Sequence, residues 1–375
     1  MKKILFLILA LLLVLTELPA QTKMVFPNVE GYKTLKCDFH IHTLFSDGRV
    51  WPTVRVQEAA REGLDAIAIT DHIESRKYVK QGLIVGDRNQ AYKLAKAVSK
   101  SNNVIVIGGG EISRKMPPGH WNAIFVKDAE KLNKPNFEEV LKEAKEQGAF
   151  IFWNHPGWWK QQPIEPKWEK MHEEMYQKGY MMGIELTSGD GRNYFPEVHK
   201  WAIEKNLTLI GNSDMHAPAA FAIDFDSKKH RLVTLVFAKE RNEESIKEAL
   251  MERRTAVYVD NRIYGREEWL SPFLNSILKV TKVRRSSNNV LSVVVENRSS
   301  APIALFKDDK ECPIYFKHHL LFKPLQKSSF TIREIKRGSF DKGGKVTINF
   351  KALDFFVDVD ENLTFPMEIE IPPKK

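Results

Sequence analysis

Between Thr34 and Val259 the chain repeats one event: a short apolar run gives way to a polar, often helix-patterned stretch. The runs are LKCDFHI, DAIAIT, NVIVIGG, WNAIFV, AFIFWN, MMGIEL, LTLIGN, LVTLVF and TAVYVD. Between most of them lie stretches such as WPTVRVQEAAREG, RNQAYKLAKAVSK, NFEEVLKEAKEQG, FPEVHKWAIEKN and NEESIKEALMERR. In the longer stretches apolar residues recur with the period of a helix that buries one face, whereas the short runs read as buried strands. Several helical stretches open at Pro, Asn or Asp and close at Gly or Asn, which start and stop helices. This alternation predicts an α/β fold with a parallel sheet, and seven or so units predict closure into a barrel.

Beyond Pro272 the helical period stops. ILKVTKVR, VLSVVVEN, IALFKD, SSFTIREIK, KVTINFKAL and LTFPMEIEI alternate apolar and polar residues and are separated by turn chemistry such as RRSSNN, RSSAP and FDKGG. A small all-β sandwich, immunoglobulin-like in size, is expected over 271–375, after a barrel over 21–270, with the boundary in 265–277. At the other end, Lys2 and Lys3, the apolar run Ile4 to Leu15 and TELPA before Gln21 have the layout of a secretory signal peptide cleaved after Ala20. That apolar run is too short to span a bilayer. A periplasmic or secreted protein with no transmembrane anchor after signal removal is expected. Cys37 and Cys312 lie far apart, and Cys37 sits in a strand pattern, so no disulfide is expected. The net charge of +9 favours anionic partners, but the lysines are spread over helix faces and form no evident nucleic-acid groove.

CDFHIHTLFSDG, residues 37–48, raises the question of chemistry. Residues two apart on a strand share a face, so His40 and His42 can point into one cavity, with Asp47 just beyond. The same event recurs at later strand ends: Asp71 and His72 after AIAIT, Glu111 after VIVIGGG, His120 entering WNAIFV, His155 after AFIFWN, and Asp214 and His216 after LTLIGN. In parallel barrels, side chains at the carboxyl ends of the strands meet at one mouth. Imidazole and carboxylate donors together suit Zn²⁺, Mn²⁺ or Fe²⁺ better than Ca²⁺ or Mg²⁺. His172 and His199 fall on helical stretches, His230 on a charged loop, and His318 and His319 in the terminal region; none is assigned a catalytic role.

HIHTLFSDG, ITDH, GGGEIS with GHWNA, NHPGW and NSDMH, in that order, resemble the successive motifs of the PHP (polymerase and histidinol phosphatase) family over about residues 34–259. The resemblance implies a distorted seven-stranded β/α barrel and metal-dependent phosphoester hydrolysis at two to three divalent ions. Carried onto this chain, it implies one ion at His40, His42, Glu111 and Asp214. A second would share Glu111 and add His120 and His155, and a third would use Asp47, His72 and His216. The export signal and terminal sandwich make the chain similar to exported bacterial phosphodiesterases of that family.

Metal-activated hydroxide would then attack a small anionic phosphoester, with no Ser or Cys nucleophile. Asp71 is expected to orient a ligand imidazole or to cap its strand. Arg49, Lys160 and Arg192 lie in loops after strands and are candidates for phosphate contact, with Arg192 the strongest. Trp158, with Trp159, Tyr194 and Phe195, is placed to hold an apolar ester group or to pack a loop. Glu185 is expected to support the site without ligating. A phosphodiesterase is the leading reading; a phosphomonoesterase acting on a nucleotide, sugar phosphate or histidinol phosphate, and a non-catalytic exported metal- or glycan-binding protein, are the alternatives. The oligomeric state is left open.

Overall fold

The computed structural model describes residues 23–162, 164–189, 194–224, 229–285, 290–308, 314–334, 336, 338 and 340–374. Nine strands match the nine apolar runs: β1 (Lys33–Asp38), β2 (Ala66–Ile69), β3 (Ile105–Ser113), β4 (His120–Ile124), β5 (Phe150–Trp153), β6 (Gly183–Ser188), β7 (Thr208–Asn212), β8 (Val233–Ala238) and β9 (Thr255–Val259). Helices α1 (Pro52–Glu62), α2 (Gln90–Ala97), α3 (Phe137–Glu146), α4 (Lys170–Gln177), α5 (Pro196–Glu204), α6 (Glu243–Met251) and α7 (Glu267–Ile277) are the described helices of eight residues or more. The amphipathic stretches account for five of them; α4 and α7 are not legible in the period, and α7 carries Pro272 inside it. No described helix is long and apolar enough to cross a membrane.

The barrel sheet is mixed, not parallel throughout. β1–β2–β3 and β5–β6–β7 are parallel, while β3–β4, β4–β5, β1–β8 and β8–β9 are antiparallel. The reason is connection length. Only residues 114–119 join β3 to β4, enough for a hairpin but far short of the crossover a parallel pair needs. The barrel closes from β7 onto β8 and β9 through side chains. The Thr234 hydroxyl accepts from Gly211 N (3.0 Å) and donates to Gly211 O (2.9 Å), and the Thr255 hydroxyl donates to Leu209 O at 2.9 Å. A Cβ on Gly211 would sit 2.3 Å from Val257 Cγ1, so only glycine lets the strands approach this closely.

The stretch 265–277, where the sequence alone puts the boundary, is almost entirely α7. It leads into β11 (Leu278–Arg285), β12 (Val290–Asn297), β13 (Ile303–Lys307), β14 (Ile314–Phe316), β15 (His319–Phe322), β16 (Lys327–Glu334), β17 (Gly344–Asp358) and β18 (Glu361–Ile371). One sheet runs β11–β12–β16–β14; the other contains β15–β13–β17 with β18 on β17. Their inward faces meet, for example at Phe316 and Phe350, whose rings are 5.6 Å apart.

A short strand missed in the sequence, β10 (Arg262–Gly265), fastens this region to the barrel. It pairs antiparallel with β9 and parallel with β17, placing Ile263 opposite Phe355 and Tyr264 opposite Phe356. Phe273 of α7 packs among Phe26, Phe237 and Phe355, with ring separations of 5.7, 5.2 and 6.5 Å. Barrel and sandwich therefore share buried apolar surface, each full side-chain burial contributing about 1.5–3 kcal/mol. Cys37 is a buried free thiol whose pKa burial raises, while Cys312 lies outside the described residues.

Candidate metal centre

Of the ten histidine and carboxylate residues singled out at the strand ends, the nine expected as metal ligands, all but Asp71, come together at the barrel mouth. Glu111, on β3, is the hub. Its Oε1 lies 3.0 Å from His120 Nδ1, 3.4 Å from His155 Nε2 and 3.5 Å from His40 Nε2. Its Oε2 lies 2.6 Å from His72 Nδ1 and 3.5 Å from His42 Nε2. Five imidazoles thus surround one carboxylate, itself 1% exposed.

Asp214 Oδ1 closes the inner side, 3.2 Å from His40 Nε2 and 3.1 Å from His42 Nε2. Asp47 Oδ1 closes the outer side, 3.3 Å from His216 Nε2, 3.5 Å from His72 Nε2 and 3.7 Å from His42 Nδ1. The donors form overlapping groups whose atoms lie within 4.8 Å of one another: His40, His42 and Asp214; His40, Glu111 and His155; His72, Glu111 and His120; and His42, Asp47, His72 and His216.

The residues fit divalent ions. A tetrahedral shell with bonds of about 2.1 Å places donor atoms about 3.4 Å apart, close to the spacings here. His40 Nε2 and His42 Nε2 face each other at 3.1 Å, an arrangement that a shared cation relieves. Glu111 Oε2, though close to His72 Nδ1, has no aligned hydrogen-bond donor, and a buried carboxylate oxygen without one is costly unless a cation meets it.

Electrostatics express the same crowding. Burial alone would lower the His40 pKa, but Asp214, Glu185 and Glu111 hold it well above the ordinary imidazole value. His42, buried and facing the His216 and His72 rings, is pushed down to about 3. Despite burial, the imidazoles around them hold Glu111, Asp214 and Asp47 below the usual carboxylate range. His155 and Asp214 both sit at positive φ, 30° and 48°. Non-glycine residues rarely adopt such angles, and here they mark backbone bent to aim a side chain inward.

Asp71 reaches an imidazole only through Ser46, whose Oγ lies 3.4 Å from His42 Nδ1. Its carboxylate accepts from Thr43 N (2.7 Å), Thr43 Oγ1 (2.6 Å) and Ser46 Oγ (2.6 Å), so it fixes the 43–46 turn that carries Asp47. Burial raises its pKa. The carboxylate on a ligand ring is Glu185: its Oε1 meets His40 Nδ1 at 2.9 Å and its Oε2 accepts from His155 N at 2.7 Å.

Three asparagines not singled out in the sequence support this floor. Asn154 Nδ2 donates to Glu111 Oε1 (3.0 Å), Asn212 Nδ2 donates to Glu185 Oε1 (2.9 Å), and Asn122 Nδ2 donates to Phe39 O (3.1 Å). Their signal was an amide ending or interrupting an apolar run, where a polar group must find a partner. Arg55 of α1 is a second omission. Fully buried, it donates to the carbonyls of His42 (3.0 Å), Met215 (2.9 Å) and Ala217 (2.9 Å), while Glu58 binds Arg55 Nη1 and Ala219 N. This pair ties the first and last histidine loops together across more than 150 positions of sequence.

Around the hub lies a cavity of about 710 Å³ whose wall includes Arg49, Lys77, Tyr78, Trp158 and Lys160. Lys160 Nζ sits 5.2 Å from the Trp158 ring centroid. Lys77 and Tyr78 had no signal beyond following β2. Arg192 lies outside the described residues. Trp159 is exposed, Tyr194 stacks on Tyr264 at 5.0 Å, and Phe195 packs over Gly157, so the last two pack a loop and are not in the wall of this cavity. His172 is structural: its Nε2 donates to Pro118 O (2.9 Å), its Nδ1 accepts from Glu169 N (3.0 Å), and its ring stacks on Trp153.

Residues 38–264 match the PHP domain. The chain belongs to the PHP family of metal-dependent phosphoesterases. Over nearly its whole length this PHP protein is similar to a two-domain protein from Bacteroides vulgatus containing a predicted PHP-like metal-dependent phosphoesterase. The two are 40% identical, with a TM-score of 0.85 over 93% of this chain and 98% of that one. It is also 27% identical, over 217 residues covering 52% of this chain and 88% of the relative, to an uncharacterized protein of Methanocaldococcus jannaschii. The first match extends through the terminal sandwich, so the PHP barrel and its all-β partner recur together.

Proposed function

We propose that this PHP protein is exported and hydrolyses small phosphodiesters at a centre of two or three divalent ions, Mn²⁺, Zn²⁺ or Fe²⁺. The observation that carries the reading is the ring of five imidazoles around Glu111, with Asp214 and Asp47 closing its two sides. His40, His42, Glu111 and Asp214 would hold one ion; Glu111, His120 and His155 a second; and Asp47, His72 and His216 a third. Such ions supply Lewis acidity for the phosphoryl oxygens and make hydroxide available at neutral pH.

The chain's own residues do the rest. Glu185 keeps His40 Nδ1 engaged, so that Nε2 faces the centre. The Gln161 amide lies 3.1 Å from His120 Nε2 and Glu111 takes His120 Nδ1, which sets that ring. Arg49, Lys77 and Lys160 make the cavity wall cationic and draw in the ester anion, and Trp158 offers a flat apolar face. Arg192 is proposed as a further phosphate contact on sequence grounds. The Lys2, Lys3 and apolar-run pattern supports export.

The test is chelation followed by restoration with single metals, assayed on bis(p-nitrophenyl) phosphate and p-nitrophenyl phosphate. Turnover should vanish with chelation, return with metal and favour the diester. Turnover of the monoester alone removes the diesterase assignment. Activity indifferent to both chelation and His40→Ala removes the metal reading.

A further inference from the structure

Asp214 and His216 line not one cavity but two. A second cavity, of about 520 Å³, has them in its wall but not Glu111. That volume is within the roughly 300–1,000 Å³ range of small-molecule sites. The two cavities differ in chemistry. The first is walled, beyond the metal-centre residues, by Arg49, Lys77 and Lys160. The second takes its apolar wall from Met215, Ile223, Leu232 and Val259. Its charged residues are of both signs, Asp214, Asp224 and Asp260 with Lys229 and Arg231; Lys229 Nζ lies 3.9 Å from Asp260, and Arg231, buried at the back, is bound by Glu62 and Asp38. His230 also lines this cavity, where burial lowers its pKa.

We infer that the second cavity is a subsite for one ester arm of the substrate, an uncharged, largely apolar alcohol-derived group, while the cationic cavity takes the other arm. This rests on the phosphodiester reading and deepens it. A phosphomonoester has one organic arm and needs one cavity beside the metal centre; a diester has two, leaving phosphorus on opposite sides. Two cavities of unlike polarity that meet at Asp214 and His216 match the second case. Of the four aromatic residues that the sequence offers for an apolar ester group or for loop packing, Trp158 lines the cationic cavity, and the second cavity adds an apolar wall from Met215 to Val259.

Ala222 stands at the exposed edge of the second cavity, so a large side chain there fills the opening without entering the core. In the metal-loaded full chain, Ala222→Trp should lower the ratio of kcat/KM for bis(p-nitrophenyl) phosphate to that for p-nitrophenyl phosphate by about tenfold, chiefly through KM for the diester. Ala222→Ser, which leaves the cavity open, should keep the wild-type ratio. Metal content and Tm of each variant report folding separately. An unchanged ratio in Ala222→Trp, or an equal fall for both esters, overturns the subsite. A wild-type protein that turns over only the monoester overturns it as well and leaves the phosphoesterase reading standing. A wild-type protein that turns over neither ester removes the phosphoesterase reading, and the subsite goes with it.

Discussion

The barrel and the terminal sandwich are both built around β-strands, yet they use buried polar groups in opposite ways. At the barrel mouth His40, His42, Glu111, Asn122, Asn154, Glu185 and Asn212 are all essentially buried. Strand β12 in the sandwich instead alternates partly exposed and buried positions along its length, and its inward residues are Leu291, Val293, Val295 and Asn297. Asn297 spends its amide on Ala301 O and Phe322 O, closing a turn. A sheet that closes on itself brings many strand ends to one point, where polar groups can satisfy one another or a cation. Two open sheets stacked face to face offer an apolar interior and no such point.

That contrast can be broken most severely at its hub. Glu111→Gln removes the charge that five imidazoles share, and should cost about three orders of magnitude or more in kcat and abolish stoichiometric metal binding, with the fold retained. Metal analysis after dialysis, beside circular dichroism, checks both halves. Truncation after Ile277 tests the shared core: stripped of β17, the β10 edge and Phe273 lose their cover, and the shortened chain should be largely insoluble or aggregated by size-exclusion chromatography.

Gly48→Ala probes the turn beyond His42. A Cβ there would stand 2.6 Å from His42 C and 2.7 Å from Thr43 N, backbone atoms that cannot swing aside. A displaced His42 and Asp47 should lower kcat/KM about a hundredfold, with Tm falling by only a few degrees.

His172 gives a smaller, pH-dependent effect. Burial lowers its pKa from 6.5 to about 4, so between those values the unfolded chain binds a proton that the native chain refuses. Stability from this group is complete above pH 6.5 and is lost as pH falls toward 4, about 3 kcal/mol in all. Urea unfolding at pH 7 and pH 4.5 should show the loss, and His172→Gln should shrink it; an equal loss in the variant assigns it elsewhere. Least of all, Tyr315→Ala on the sandwich surface should leave kcat/KM within about twofold.

Much of the site was legible because its residue types are conspicuous. A histidine or carboxylate ending an apolar run has few cheap reasons to be there, and the same event at strand after strand pointed to one mouth. Glu185 was also visible as a strand-end acid. The supporting residues were not. Arg55 reads as an ordinary polar position in a helix, and only the fold shows it reaching the carbonyls of His42, Met215 and Ala217. Asp71 was open between orienting an imidazole and capping its strand; successive residues leaving a strand diverge, and it turned to Thr43 and Ser46.

Strand direction divides in the same way. Nine apolar runs announced nine strands, but hydrophobic period carries no direction, so the β3–β4 hairpin and the reversed β8 were set by connection length and by which edge each strand could reach. β10 was too short to show a period, and it became an element because β9 and β17 supplied partners on both sides. By itself the order of residues determined where the chain is apolar, where it bends and which donors end each strand. Only the closed barrel decided which donors face one another, which acid supports which ring, and that Asp214 and His216 line two cavities, because those relations depend on distances between residues far apart in the chain.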